Sequence, residues 1–179
     1  MGEHLNGIPT AQIVPEQIDM FHALIEKYQV KTFIELGTFV GGLTYEMILK
    51  HPEMNIHTFE IDGSCLHPTV RYYIGKPHVG IYAMDVFDPK TVKLISDIIN
   101  KSDGTVLLFC DNGNKVKEFW LYYPLLRPGD LIQVHDYPVE ATPEMVEEAN
   151  KRLDLEPIDQ EYYLENFTVC WRKTNPVIK

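Results

Sequence analysis

The stretch that most constrains this chain is Phe33-Ile-Glu-Leu-Gly-Thr-Phe-Val-Gly-Gly-Leu-Thr44, an apolar β-type run that ends in an acid, turns through glycines and opens a helix. Phe33, Ile34 and Leu36 read as residues of a buried strand. Gly37 permits a turn that a side chain would obstruct, and Gly41-Gly42 let the next helix start close against a sheet. The pattern predicts main-chain N–H groups facing a ligand at the helix start. A dinucleotide-binding turn reads G-x-G-x-x-G and carries a pyrophosphate on the helix N-terminus. This turn reads E-x-G-x-x-x-G-G instead. A carboxylate at Glu35 repels a pyrophosphate and suits a ligand that carries an ammonium group.

S-adenosylmethionine has that ammonium, a sulfonium and no phosphate. Glu35-Leu-Gly37, together with Thr58-Phe-Glu60-Ile-Asp62 at the end of the next apolar run, resembles the class I S-adenosylmethionine-dependent methyltransferases. In that family the second acid holds the ribose hydroxyls, a role the resemblance gives to Glu60. Glu35, Gly37, Thr38 and Gly41 complete the turn that would hold the rest of the cofactor.

At 179 residues the chain fits one domain with a real core, read here as an N-terminal arm over 1–13 and a single methyltransferase-like domain over 14–179. A formal net charge of −10 argues against nucleic acid as the main partner, because phosphate binding needs a basic face. No apolar stretch approaches the ~20 residues of a membrane span, and the polar start lacks the regions of a signal peptide, so the expectation is a cytoplasmic protein with no membrane partner. Cys65, Cys110 and Cys170 are scattered, without the spacing of a zinc or redox site, and read as reduced thiols.

From Pro15, Ile18, Phe21, Ile25 and Tyr28 recur at helical spacing. Strands are expected over 31–36, 55–61, 79–83, 105–110, 131–134 and 166–172, and helices over 42–50, 65–74, 115–126 and 142–152, with Tyr72 and Tyr73 as packing residues. Asp88-Pro89 starts a further helix, with Val92, Ile95, Ile98 and Ile99 on its buried face. Alternating strands and helices imply an α/β, Rossmann-like, doubly wound and mostly parallel sheet, with helices on both faces and an antiparallel C-terminal strand. Ligands of such sheets sit at the carboxyl ends of the strands, where Glu35, Glu60, Asp85, Asp111 and Asp136 all fall. This fold class places a residue near the adenine at the end of the third strand, which is Asp85 here; the alternative is that Asp85 or Asp88 caps the following helix.

The segments Asp111-Asn-Gly-Asn-Lys115, Tyr123-Pro-Leu-Leu-Arg-Pro-Gly129 and His135-Asp136-Tyr137 strengthen the resemblance. They are similar to the group whose fourth strand ends in D-G-x-H and whose fifth follows P-L-L-x-P-G-G and ends in H-D-Y. Related small-molecule O-methyltransferases bind a divalent cation with acids at these two strand ends. The resemblance therefore implies a metal site at Asp111 and Asp136, with His135, Asp136 and Asp111 as the catalytic candidates. Helix capping and loop hydrogen bonding remain open for the two acids, and a structural role for His135. Lys115 reads as a solvated helix-face residue, or as a general base or hydrogen-bond donor if desolvated. Asn114 stands where the pattern has His, and Asp130 replaces the second glycine of the turn.

The resemblance implies methyl transfer from S-adenosylmethionine to a small-molecule hydroxyl, assisted by Mg²⁺ or another divalent cation. The alternatives are a cephalosporin-hydroxylase-like enzyme and a catalytically idle cofactor-binding scaffold. The chain is short for this fold, so the acceptor site is expected to be covered by the arm and by 137–163, or by a second copy in a homo-oligomer.

Overall fold

The structure, a computed structural model, describes residues 4–5, 7–9, 13 and 15–175. In chain order the elements are β1 (His4–Leu5), β2 (Ile8–Pro9), α1 (Pro15–Tyr28), β3 (Val30–Leu36), α2 (Gly42–Lys50), β4 (Asn55–Glu60), α3 (Pro68–Arg71) and β5 (Val79–Ala83). They continue with α4 (Pro89–Lys101), β6 (Thr105–Cys110), α5 (Lys115–Tyr122), β7 (Leu131–His135), α6 (Pro143–Asn150), β8 (Leu155–Pro157), α7 (Gln160–Glu165) and β9 (Thr168–Lys173). A 3-10 turn at Tyr123–Leu125 follows α5.

The main sheet is seven-stranded, in the order β5-β4-β3-β6-β7-β9-β8. β5 through β7 run parallel, while β9 is antiparallel to both β7 and β8. The expected α/β sheet and its antiparallel C-terminal strand are both present. Side-chain alternation along the strands sorts the core onto two faces. Phe33, Leu107, Phe109 and Leu131 meet α1 and α2 through Phe21, Leu24 and Met47. Ile34, Leu36, Val106, Leu108, Ile132 and Val134 meet α4, α5 and α6 through Ile95, Ile99, Phe119, Tyr122 and Met145. Both faces of the central strands are covered, which is why β6 reads as a continuous apolar run rather than an alternating one.

Helix starts follow local chemistry. Asp88 Oδ1 accepts from the Lys90 N–H at 2.7 Å ahead of Pro89, and the Thr142 hydroxyl accepts from the Met145 N–H at 3.3 Å ahead of Pro143. The helix expected over 65–74 shrinks to the single turn of α3, because Tyr73, Ile74 and Lys76 donate three residues back in tight turns. Of the two tyrosines expected to pack there, Tyr73 lies against Tyr45, and Tyr72 is exposed. The arm expected over 1–13 lies partly outside the described residues. Within it, β1 and β2 form an antiparallel pair, and Ile8 is buried against Leu66 and Val70.

Asp130, which departs from the glycine of the motif, explains itself in the fold. Its buried carboxylate accepts from the Val106 N–H at 2.9 Å, the Arg127 N–H at 2.8 Å and the Arg127 guanidinium at 3.0 and 3.1 Å. The turn before β7 is thereby tied to the start of β6. Removing the buried carboxylate leaves the Val106 and Arg127 N–H groups unpaired, so Asp130→Ala is expected to lower unfolding free energy by about 2 kcal/mol in urea denaturation. A loss under about 0.5 kcal/mol would show that the network contributes nothing.

Candidate active site

Strand order reverses between β3 and β6, and the crevice at that point is where open α/β sheets bind ligands. Leu36 pairs with Cys110, and the Asp111 N–H donates to the Leu36 carbonyl at 2.9 Å, so the glycine turn and the acid after β6 sit side by side. A cavity of about 340 Å³ opens there, lined among others by Glu35, Thr38, Glu60, Asp111, His135 and Asp136. Its volume falls in the range of small-molecule sites.

The floor is built from the opening motif. Glu35 is buried, and its Oε2 accepts from the Thr58 hydroxyl at 2.7 Å and from the Thr44 hydroxyl; Thr38 and Thr58 also share a hydrogen bond. Burial pushes the Glu35 carboxyl up to about 8, against the lowering effect of its two threonine donors. Gly37 and Gly41 both have positive φ, at 96° and 87°. The N–H groups expected to face a ligand are partly engaged within the protein. Those of Gly37 and Thr38 donate to the Phe59 carbonyl, that of Gly41 donates to the Thr38 carbonyl, and that of Phe39 donates to Glu60 Oε2 at 2.8 Å. Glu60 Oε1 accepts from the Asp62 N–H at 3.1 Å, which fixes this carboxylate at the rim of the cavity.

The opposite wall carries the second group of acids. His135 Nδ1 lies 3.0 Å from Asp111 Oδ1 and 3.4 Å from Asp136 Oδ1. The Gln17 amide nitrogen lies 3.2 Å from His135 Nε2 and donates to the Asn166 carbonyl at 2.7 Å. An amide N–H donor at Nε2 makes that nitrogen the acceptor, so Nδ1–H donates to Asp111. Burial lowers the imidazole pKa, but the Asp111 hydrogen bond and the charges of Asp111 and Asp136 outweigh it, and the net shift is upward. With both nitrogens engaged, the ring holds Asp111 in place.

Lys115 is not the solvated residue its sequence position suggested. It is only 5% exposed, and its Nζ stands 2.8 Å from Asp136 Oδ2, 2.8 Å from Glu140 Oε2 and 3.5 Å from Asp111 Oδ1. Burial lowers its pKa, but the three carboxylates more than offset that and raise it. Asn114, at the place of the motif histidine, caps α5 by accepting from the Lys117 N–H at 3.1 Å. Glu118 is buried and accepts from the N–H groups of Asn112 and Asn114 at 3.2 and 3.1 Å, holding the loop after Asp111; burial pushes it up to about 7.

The structure thus brings Glu35, Gly37, Thr38, Glu60, Asp111, His135 and Asp136 to one cavity. It does not bring Asp85 there: that side chain is exposed and accepts from the Phe87 N–H at 2.9 Å in its own loop. Gly41 lies beneath the lining, packed on Val70. Glu140, Gln17 and Ile13 were not singled out from the sequence, and Lys115 takes the desolvated setting that was its second reading. A second cavity of about 420 Å³ is lined by Gln17, His135, Asp136, Tyr137, Val139, Glu140 and Phe167. It shares His135, Asp136 and Glu140 with the first, and its outer wall is apolar, with Val139 80% and Phe167 60% exposed.

Two donor sets follow. Among the described residues Lys115 is the one lysine or arginine lining the first cavity, so carboxylates predominate there and among them a phosphate finds no free cation. Asp111, His135 and Asp136 offer ligand atoms within 4.8 Å of one another, a set that fits a divalent cation. That ion would share its oxygens with the Lys115 ammonium. Unit charges about 4 Å apart near a protein surface interact by about 4 kcal/mol, and a double charge by about twice that.

This is the fold of the class I S-adenosylmethionine-dependent O-methyltransferases. CmcI with Mg and SAM superposes with a TM-score of 0.69 at 16% identity, over 97% of this chain and 77% of that one. The O-methyltransferase TomG from Streptomyces achromogenes, involved in tomaymycin synthesis and solved with SAM, gives 0.66 at 17% identity, over 94% and 84%. MycE of the mycinamycin pathway, with Mg and SAH, gives 0.62 at 14% identity; the match covers 89% of this chain and 50% of MycE. No protein-family model and no curated protein sequence matches the chain. Among the described residues no helix is long and apolar enough to cross a membrane.

Proposed function

We propose that this chain transfers a methyl group from S-adenosylmethionine to the hydroxyl of a small molecule. The observation that carries the reading is the crevice where strand order reverses, walled by Glu35 and Glu60 on one side and by Asp111 and Asp136 on the other. A nucleoside bearing an ammonium, a sulfonium and a ribose diol matches those carboxylates, and a dinucleotide does not. Bound S-adenosylmethionine supplies an electrophilic methyl group.

Glu60 accepts from the ribose diol, and Glu35 faces the ammonium. The acceptor enters through the second cavity, where Val139 and Phe167 cover an apolar body and Asp136 and Glu140 face its hydroxyl. Alignment of that oxygen behind the methyl group provides much of the rate. Asp136 lines both cavities and would take the proton of that hydroxyl. A divalent cation held by Asp111 and Asp136, with His135 orienting Asp111, would lower the pKa of the hydroxyl. The hydroxylase and idle-scaffold alternatives gain no observation of their own.

The test is isothermal titration with S-adenosylmethionine and S-adenosylhomocysteine, with Mg²⁺ and after chelation, followed by an acceptor screen on phenols and sugars. Micromolar binding is expected, weakened at least about tenfold in Glu60→Ala. Folded wild-type protein that binds neither nucleoside would remove the methyl-transfer reading.

A further inference from the structure

We propose that the Lys115 ammonium and a divalent cation compete for one set of carboxylates, so that Lys115 is a built-in cation that sets the metal affinity of the site. Nζ is held by Asp136 and Glu140 at 2.8 Å each and by Asp111 at 3.5 Å. These partners come from the loop after β6, the end of β7 and the loop beyond it. Asp111 and Asp136 are also two of the three residues whose ligand atoms converge for a metal.

The position of Lys115 in its helix makes this arrangement specific. It is the first residue of α5, where the helix dipole disfavours a cation and favours an acid. Within the helix only the charge of Glu118 favours an ammonium there, and the three carboxylates in contact with Nζ come from outside it. Magnesium bound by Asp111 and Asp136 needs carboxylate oxygens at about 2.1 Å, and one oxygen of each, Asp111 Oδ1 and Asp136 Oδ2, already faces Nζ. Binding then requires the lysine stem to swing out. A site whose binding-competent form is only a fraction of the population has its affinity reduced by that fraction. The carboxylates are accordingly part-compensated without a metal, and the ion concentration needed to fill the site is raised.

This inference rests on the methyl-transfer reading only for where the site lies, and its test uses the metal alone. Free Mn²⁺ is followed by electron paramagnetic resonance, and Mg²⁺ binding by calorimetry, on wild type, Lys115→Gln and Lys115→Arg. Lys115→Gln is expected to bind either ion at least about tenfold more tightly than wild type, with Lys115→Arg close to wild type. Equal affinity in wild type and Lys115→Gln overturns the proposal, as does a folded Lys115→Gln that binds no Mn²⁺, or an Arg variant as tight as the Gln one. If the Gln variant does not fold, amine acylation of Lys115 in wild type is read by mass spectrometry. Labelling that rises through millimolar Mg²⁺ supports displacement, and labelling that stays flat overturns it. Loss of nucleoside binding is scored separately, so failure of one reading is not mistaken for failure of the other.

Discussion

Replacing Gly37 with alanine is expected to cost at least about 3 kcal/mol of folding stability and to pull the two walls of the cavity apart. Gly37 has φ of +96°, a conformation that is strained for any L side chain. A Cβ there would lie 2.5 Å from the Asp111 carbonyl oxygen, 2.7 Å from its carbon and 2.8 Å from Asn112 Cα. All three are main-chain atoms, so no side-chain rotation relieves the clash. Relief requires β3 and β6 to separate at their carboxyl ends, which breaks the bond from the Asp111 N–H to the Leu36 carbonyl. Gly113 is the control. A Cβ there meets nothing within 4 Å and its φ is not positive, so Gly113→Ala is expected to stay within about 0.5 kcal/mol of wild type. Urea denaturation of both variants decides the matter, and a Gly37→Ala protein as stable as Gly113→Ala would mean that the turn is not built on this contact.

The same contact explains why so much of the fold could be read in advance. The central strand Thr105–Cys110 is covered on both faces, so every side chain after Thr105 is apolar, and the acid directly after it marks its carboxyl end. Strand ends converge in a doubly wound sheet, which is why Glu35, Glu60, Asp111 and Asp136 meet. Position along a strand does not fix the direction of a side chain, however. Asp85 has the right position, yet its carboxylate turns back to the Phe87 N–H.

What was illegible depended on partners distant in sequence. Lys115 looks solvated from its local pattern because two of its three carboxylates lie 21 and 25 residues away on other segments. Gln17 precedes the apolar stripe of α1, and its partner His135 is 118 residues distant, so no local periodicity distinguishes it from a surface glutamine. β8 and α7 are three and six residues long, too short for a period to emerge.

The affinity for S-adenosylmethionine is expected to fall by about tenfold between pH 7 and pH 6, with a binding optimum near pH 8. The cause is Glu35, whose buried carboxyl is pushed from 4.5 up to about 8. The sign follows from which state holds the proton. Between about pH 4.5 and 8 the free folded protein keeps a proton that the unfolded chain releases, so this group's contribution to stability is present at low pH and is lost as pH rises through that window. Binding works in the opposite sense. An ammonium brought against Glu35 in the dry cavity floor needs a carboxylate facing it, so the complex forms by expelling the proton and weakens as pH falls. Above about pH 8 the α-amino group of the ligand loses its own proton, which closes the window from the other side. Calorimetry at pH 7 in buffers of different ionisation enthalpy reads the proton directly, with close to one released per ligand bound. Glu35→Gln carries no proton to release, and is expected to bind more weakly with no dependence on pH between 6 and 7. Wild-type affinity that stays flat over that interval, with no buffer dependence of the heat, would place the ligand's ammonium away from Glu35 and leave the carboxyl as a neutral hydrogen-bonded part of the floor.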